Sequence, residues 1–353
     1  NKETFRSTRS WIETHPHPSI DFHALLDHSF GVKEAGVGLA RMILMDEAVR
    51  RFDRIDFPEG IIASMDGDAT VDKNYLEVLC RHFFLDTKGV KQITPIGEPP
   101  EGCSIYFEHP LASEDLISGT TEHYMSPVFK AITLYELHLR YYLQSVRYTG
   151  YPYAYHTVGS AFVVRADVYC LEGGMNRRQG GEDFYFIQKI AQRGKFSDCL
   201  TTRVIPSPRP SDRVPFGTGP VVARLITFDE TLTTYDPRSF EILRLFFAEM
   251  EVLYKESEVA ERMASLPKVL TEFLEVQKFA EALEEIRGNS ASYPAFQKRF
   301  WRWFTMFRIM KFLHFARDRG YPDLPVAEAA LGLLKHVNPE KTKFFNASNS
   351  ASN

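Results

Sequence analysis

The hydrophobic and polar positions in the first two thirds of the chain follow two different periods. Apolar residues spaced by three and four predict helices over 34–52, 72–84, 129–148 and 182–193. Short continuous apolar runs predict strands over 61–65, 90–96, 103–107 and 158–165. Strands that alternate with helices in this way are typical of an α/β domain, in which helices cover a sheet.

The pattern changes after Asp236, where strand signals become rare. Helical patterns follow over 240–255, 258–286, 296–317 and 326–336. We therefore predict an α/β domain over 1–235, a C-terminal helical region over 236–345 and a polar, disordered tail over 346–353. Residues 1–29 are predicted to be helix and loop.

Composition excludes several classes of protein. The chain has 353 residues, of which 44% are hydrophobic, and this is enough to build a large core. Its net charge of -4 argues against a general nucleic-acid binder, which normally carries a basic excess. The four cysteines form no CxxC pair and predict neither a zinc site nor a disulfide framework. Because no apolar run reaches the roughly 18–20 residues of a membrane-spanning helix, we expect a cytoplasmic protein.

A short acidic motif follows the predicted strand over 61–65. Asp66 and Asp68 are separated by Gly67, and both carboxylates can face one cleft if the chain turns at the glycine. Oxygen ligands of this kind suit Mn²⁺ or Mg²⁺, which keep coordination positions open for phosphate oxygens. Such a metal neutralises the charge on a departing diphosphate. The same tripeptide is also a common turn, and its position after a strand leaves both interpretations open.

A second acidic motif, Gly181-Glu182-Asp183, opens the predicted helix over 182–193. Acidic residues in a first helical turn can simply complement the helix dipole. Alternatively, one carboxylate can act as a general base that deprotonates an acceptor hydroxyl.

The segment 206–219 is rich in Pro, Ser and Gly and contains Arg209 and Arg213. Guanidinium groups and backbone N–H groups both bind phosphate, so the segment is a candidate diphosphate-binding loop. A Pro-rich surface loop is the alternative. We favour the binding loop, because a segment of this length is costly to order unless it contacts something.

In their order along the chain, these motifs resemble family 2 glycosyltransferases of the GT-A fold. The resemblance covers residues 33–219 and includes the stretch from Ala35 to Arg41, the Asp-Gly-Asp motif, the segment from Gly159 to Arg165, Gly173-Gly174-Met175 and Gly181-Glu182-Asp183. It implies a Rossmann-like mixed sheet flanked by helices. It also implies a metal-dependent, inverting transfer of a sugar from a UDP- or GDP-linked donor to a hydroxyl acceptor.

The resemblance further implies roles for individual residues. Asp66 and Asp68 would bind the metal, Mn²⁺ or Mg²⁺, and the nucleotide sugar. Asp183 would be the catalytic base, with Glu182 beside it. The remaining donor contacts would come from Lys33, Arg41, Gly159, Gly181, Arg209 and Arg213. Family members begin with a Pro-x-x-Asn-Glu strand and a second strand that ends in an acidic residue. Neither is visible before residue 33, and we expect both to be missing from the given sequence.

Two other functions fit parts of the same pattern. Residues 66–71 match the Asp-x-Asp-x-Thr motif of haloacid-dehalogenase-type phosphohydrolases, with Asp66 as the nucleophile and Asp68 as the acid/base. That motif normally follows the first strand of its domain, whereas a predicted helix precedes it here. A non-catalytic glycosyltransferase-like module that binds a partner is the third possibility. We favour the transferase, because both acidic motifs are present.

Aromatic and basic residues interleave at the start of the predicted helix over 296–317. This pattern is typical of a helix that lies on an anionic membrane, here the inner face of the cell membrane. It is equally typical of a core helix whose arginines extend to solvent. The aromatic residues are spread around the helix, which favours the core interpretation.

Overall fold

The computed structural model describes residues 2–27, 29–31, 35–84, 100–110, 126–212, 217–255, 263 and 265–338. The predicted strand over 90–96 and the predicted tail over 346–353 lie outside these ranges. Within them the chain is mixed α/β, with a sheet flanked by helices and a helical C-terminal region, as predicted.

In the described ranges the main sheet has five strands, in the order β1-β4-β3-β5-β2. They are β1 (Ile61–Ser64), β2 (Thr70–Val71), β3 (Gly102–Phe107), β4 (Phe162–Arg165) and β5 (Phe196–Ile205). β4 is antiparallel to both β1 and β3, β5 is parallel to β3, and β2 is antiparallel to β5. β1, β3 and β5 therefore run in the same direction, and their carboxyl ends meet at one edge of the sheet.

The two faces of this sheet are covered by α2 (Val37–Arg54), α3 (Tyr75–Phe83), α5 (Ala166–Leu171) and α6 (Glu182–Ala191). α4 (Pro127–Tyr148) and α7 (Thr218–Phe228) pack against each other. α1 (Lys2–Thr14) has no buried residue. Phe162 and Val164 of β4 pack with α2, α5 and α6 on one face, and Val163 packs with α3 on the other. β4 is thus buried on both sides, which explains why it is a continuous apolar run in the sequence.

The four predicted helices of the α/β part and three of its predicted strands are present, with ends shifted by a few residues. The strand predicted over 158–165 begins only at Phe162, because Gly159 and Ser160 form a turn. β5 was not predicted. Its sequence does not alternate regularly between apolar and polar residues. Polar residues are tolerated in this strand because they have hydrogen-bond partners: Ser197 bonds to His82, and Asp198 bonds to Ser104 and Arg147.

The described part of the C-terminal region contains α8 (Pro237–Ala248), α9 (Met250–Lys255), α10 (Lys268–Val276), α11 (Phe279–Gly288), α12 (Tyr293–Trp303), α13 (Met306–Arg317) and α14 (Val326–Val337). A two-stranded sheet joins β6 (Thr233–Thr234) to β7 (Leu324–Pro325). The core contains many phenylalanine rings, among them fully buried Phe246 and Phe300, whose centroids lie 6.0 Å apart. Tyr141 and Val146 of α4 belong to the same core and join it to the α/β part.

The aromatic stretch after residue 296 is part of this core. Phe296, Phe300 and Trp301 are all buried, in line with the core interpretation of the pattern. The helix predicted over 296–317 is in fact two helices, because the chain turns at residue 304 and the Thr305 side chain caps α13 by accepting the Arg308 N–H. No helix in the described part of the chain is both long and apolar enough to cross a bilayer. Membrane contact stays a prediction.

Candidate active site

Two acidic side chains lie at the carboxyl edge of the sheet, directly after β1. Asp66 and Asp68 belong to a turn that leads at once into β2. β2 pairs with the end of β5, where Thr70 lies opposite Ile205. This pairing holds the turn beside the segment that leaves β5, and Arg209 of that segment forms an ion pair with Asp68.

A buried arginine on α2 joins this turn to the start of α6. Arg41 Nη1 donates to Glu182 Oε1 at 3.0 Å, and Nη2 forms an ion pair with Asp66. Nε of the same guanidinium donates to Ser64 Oγ at 3.2 Å. Arg41 is only 9% exposed, so these bonds form away from bulk water, where an unpaired charge is costly. One side chain thereby fixes the end of β1 relative to α6.

The turn before β4 completes the surroundings of this guanidinium. Ser64 Oγ donates to the Gly159 carbonyl at 2.7 Å. A Cβ added to Gly159 would lie 2.5 Å from Arg41 Nη2, closer than real contacts allow. Glycine is therefore required at this position for Arg41 to keep its place.

The segment between α5 and α6 holds α2 and α6 together. The Gly38 N–H donates to the Arg178 carbonyl at 3.2 Å, and a Cβ on Gly38 would lie 2.4 Å from that oxygen. Asn176 Nδ2 donates to the Glu182 carbonyl at 2.9 Å. Gly181, just before α6, has a φ of 69°, a left-handed conformation that favours glycine. Gly38 thus permits a close backbone contact, and Gly181 permits the left-handed turn into α6.

Asp183 lies beside Glu182 in the first turn of α6 and is half-buried. Its Oδ1 accepts the Phe184 N–H at 2.7 Å. Burial, and next the charge of Glu182, raise the pKa of Asp183 from 3.8 to about 7. Burial also raises the pKa of Glu182, and the Arg41 charge acts against this shift. A carboxyl with a pKa near neutrality can take up a proton at neutral pH, which is the property required of a general base.

Tyr135 of α4 lies within electrostatic range of Asp183. Burial raises the pKa of Tyr135 to about 12, the hydrogen bond with the Thr218 side chain lowers it, and the Asp183 charge raises it. The three side chains are therefore close enough to affect one another. A phenol with this pKa stays protonated at neutral pH and is a hydrogen-bond donor.

The acidic turn is better suited to a metal ion whose ligands come partly from a substrate than to one whose ligands all come from the protein. In the described ranges, no group of three or more His, Cys, Asp or Glu side chains is arranged to hold a metal ion. Mg²⁺ commonly binds one or two carboxylates and completes its shell with substrate phosphates and water. Asp66 and Asp68 can supply such a pair. Each of them now has an arginine partner, Arg41 or Arg209.

Most of the residues that the sequence singled out lie together at this edge of the sheet. They are Arg41, Asp66, Asp68, Gly159, Gly181, Glu182, Asp183 and Arg209. Lys33 and Arg213 lie outside the described residues. Ser64, Tyr135 and Asn176 also belong to the site and were not predicted. Ser64 could have been noticed as the polar residue in the apolar run over 61–65.

Comparison of the chain with models of protein families, with curated proteins and with solved structures finds no match. Its function therefore has to be inferred from the chemistry of this site.

Proposed function

We propose that this protein is a metal-dependent glycosyltransferase that moves a sugar from a nucleotide-diphosphate donor to a hydroxyl acceptor. The observation that carries the proposal is the contact network of Arg41, which joins the acidic turn after β1 to the acidic pair of α6. The network lies at the carboxyl ends of parallel strands, where α/β sheets commonly bind their ligands. Arg41 thereby holds Asp66, which we assign to the donor, close to the helix that carries Asp183, which we assign to the acceptor.

The acidic turn and the loop after β5 suit the donor's diphosphate. A divalent cation on Asp66 and Asp68 would neutralise the charge that develops on the leaving diphosphate. Arg209 already lies against Asp68, and its guanidinium can bind phosphate oxygens through paired N–H groups. These are the groups that we assign to the donor.

Asp183 is suited to the acceptor side of the reaction. Its raised pKa, about 7, allows it to take the proton of an acceptor hydroxyl at neutral pH. The hydroxyl oxygen forms the new bond to the anomeric carbon, while the bond from that carbon to the diphosphate breaks and its electron pair leaves on the diphosphate oxygen. A direct displacement of this kind inverts the anomeric configuration.

The same geometry disfavours the phosphohydrolase. A covalent nucleophile at Asp66 must approach a phosphorus atom, but Asp66 is ion-paired with the guanidinium of Arg41. Glu182 of the acidic pair is ion-paired with the neighbouring nitrogen of the same guanidinium.

Ligand binding and turnover test the proposal together. UDP and GDP, each with Mn²⁺, should raise the melting temperature, and one UDP- or GDP-sugar of a panel should be hydrolysed only with the metal present. Asp68→Ala should remove metal-dependent nucleotide binding, while Asp183→Asn should keep binding and lose transfer. Hydrolysis of p-nitrophenyl phosphate without any nucleotide effect would support the phosphohydrolase. The absence of both activities, and of any nucleotide effect, would overturn the proposal in favour of a binding module.

A further inference from the structure

The guanidinium of Arg41 is buried, and protein groups hold each of its nitrogens. Each of its three nitrogens already bonds to the protein, at Glu182, Asp66 and Ser64. Its side chain is 10% exposed and that of Glu182 is 4% exposed, whereas Asp66 is 49% exposed. Asp66 therefore lies between the arginine and the solvent-facing part of the site, where a donor would bind.

We infer that Arg41 is a positioning residue and not a contact of the nucleotide sugar. It fixes the Asp66 carboxylate, which we assign to the donor, relative to the start of α6, which carries the acceptor-side base Asp183. This inference rests on the proposed function and gives Arg41 a different role from the one that the family resemblance implies.

Gly159 and Ser64 make the position of Arg41 specific. Ser64 Oγ accepts from Arg41 Nε and donates to the Gly159 carbonyl, so its hydroxyl links the two residues. Gly159 lies against the guanidinium, and a methyl group there would displace Nη2. We assign Gly159 the same positioning role, because it acts through Arg41.

The local charge balance explains why a cation is needed here. Asp66, Glu182 and Asp183 all act on one another electrostatically, and Arg41 is the cation that contacts two of them. Without it the carboxylates would repel one another, and the turn and the helix would lose their common partner. A displacement of about 1 Å between reacting groups can cost roughly 100-fold in rate, even when binding is intact.

Gly159→Ala is the decisive variant, because it moves the guanidinium and removes no functional group. We expect kcat for hydrolysis of the nucleotide sugar that the wild-type protein turns over to fall by about 100-fold. The dissociation constant of UDP or GDP with Mn²⁺, measured by calorimetry, should change by less than about threefold, since the groups assigned to the donor remain. Arg41→Lys, which keeps the charge but cannot bridge three partners, should show the same division between kcat and binding.

Two matched controls separate positioning from general destabilisation. Gly288→Ala adds a methyl group where nothing lies within 4 Å, and Arg50→Gln removes an exposed arginine from the same helix as Arg41. Both should leave kcat and nucleotide affinity unchanged. Thermal melting curves of all variants give the folded fraction at the assay temperature, to which kcat is normalised.

Three results would overturn the inference. The first is full activity in Gly159→Ala or Arg41→Lys. The second is a loss of nucleotide affinity in proportion to the loss of kcat/KM, which would make Arg41 a donor contact. The third result concerns the case in which the wild-type protein has no activity and the proposed function fails. The positioning role then still predicts that Glu182→Gln reduces the destabilisation caused by Arg41→Met, as measured by urea unfolding. Additive effects of the two substitutions would refute it.

Discussion

Asp183 should make the folded protein less stable as the pH rises, and Asp183→Asn should remove this effect. Its pKa is about 7 in the folded protein, against an ordinary value of 3.8. Between these values the carboxyl is protonated when folded and ionised when unfolded. The unfolded state then binds fewer protons, so the free energy of unfolding decreases with increasing pH across this window.

The size of the effect follows from the two pKa values. A difference of about three units corresponds to at most about 4 kcal/mol, at about 1.4 kcal/mol per unit. An asparagine at this position cannot ionise, and its Oδ1 can still accept the Phe184 N–H that lies 2.7 Å from the carboxylate. The variant should therefore be the more stable protein at neutral pH, although it lacks the base that we propose.

Urea unfolding at pH 5 and pH 8, followed by tryptophan fluorescence, measures this difference. We expect the advantage of Asp183→Asn over the wild-type protein to be about 3 kcal/mol larger at pH 8 than at pH 5, because about two pH units of the window lie between them. Asp53→Asn, an exposed change on α2, is the control and should show no such difference. An equal advantage at both pH values, or a less stable variant at pH 8, would refute the assigned pKa.

Two further predictions concern packing. Phe246→Ala should lower the free energy of unfolding by about 3–5 kcal/mol, because the ring is fully buried among other rings. Leu245→Ala, at the exposed neighbouring position, is the control and should change the free energy of unfolding by less than about 1 kcal/mol. Urea unfolding of both variants measures the two values. Gly38→Ala should reduce both melting temperature and turnover, since its Cβ would meet the Arg178 carbonyl; a variant with wild-type values would contradict the close contact.

Local patterns were sufficient to predict most elements of the fold, and the failures have identifiable physical causes. α7 was missed because Pro220 follows Gly217 and Gly219, a composition typical of loops, yet proline is well tolerated in the first turn of a helix. β5 was missed because Ser197 and Asp198 interrupt its apolar pattern, and only the folded chain supplies their hydrogen-bond partners.

The composition of the site could be predicted better than its connections. The two acidic motifs are visible in the sequence as short local patterns: Asp66-Gly67-Asp68 follows a predicted strand, and Glu182-Asp183 opens a predicted helix. The role of Arg41 depends on contacts with Ser64 and with Glu182, which is 141 positions away, and no local pattern encodes them. The role of Gly159 was equally hidden, because the turn that brings it to the guanidinium was predicted to be part of a strand.

The strand order has a consequence for how the protein folds during synthesis. Within the described residues, β4 is the sheet partner of β1, and Ile61 pairs with Arg165 about a hundred positions later. At roughly 5–20 residues per second, a ribosome needs about 5–20 s to make the intervening chain. During that time the edge of β1 that pairs with β4 in the described residues lacks this partner, and such an edge can join other chains. We expect the nascent chain to depend on chaperones until β4 has emerged. Aggregation during expression should therefore decrease when the supply of chaperones is sufficient for the rate of translation.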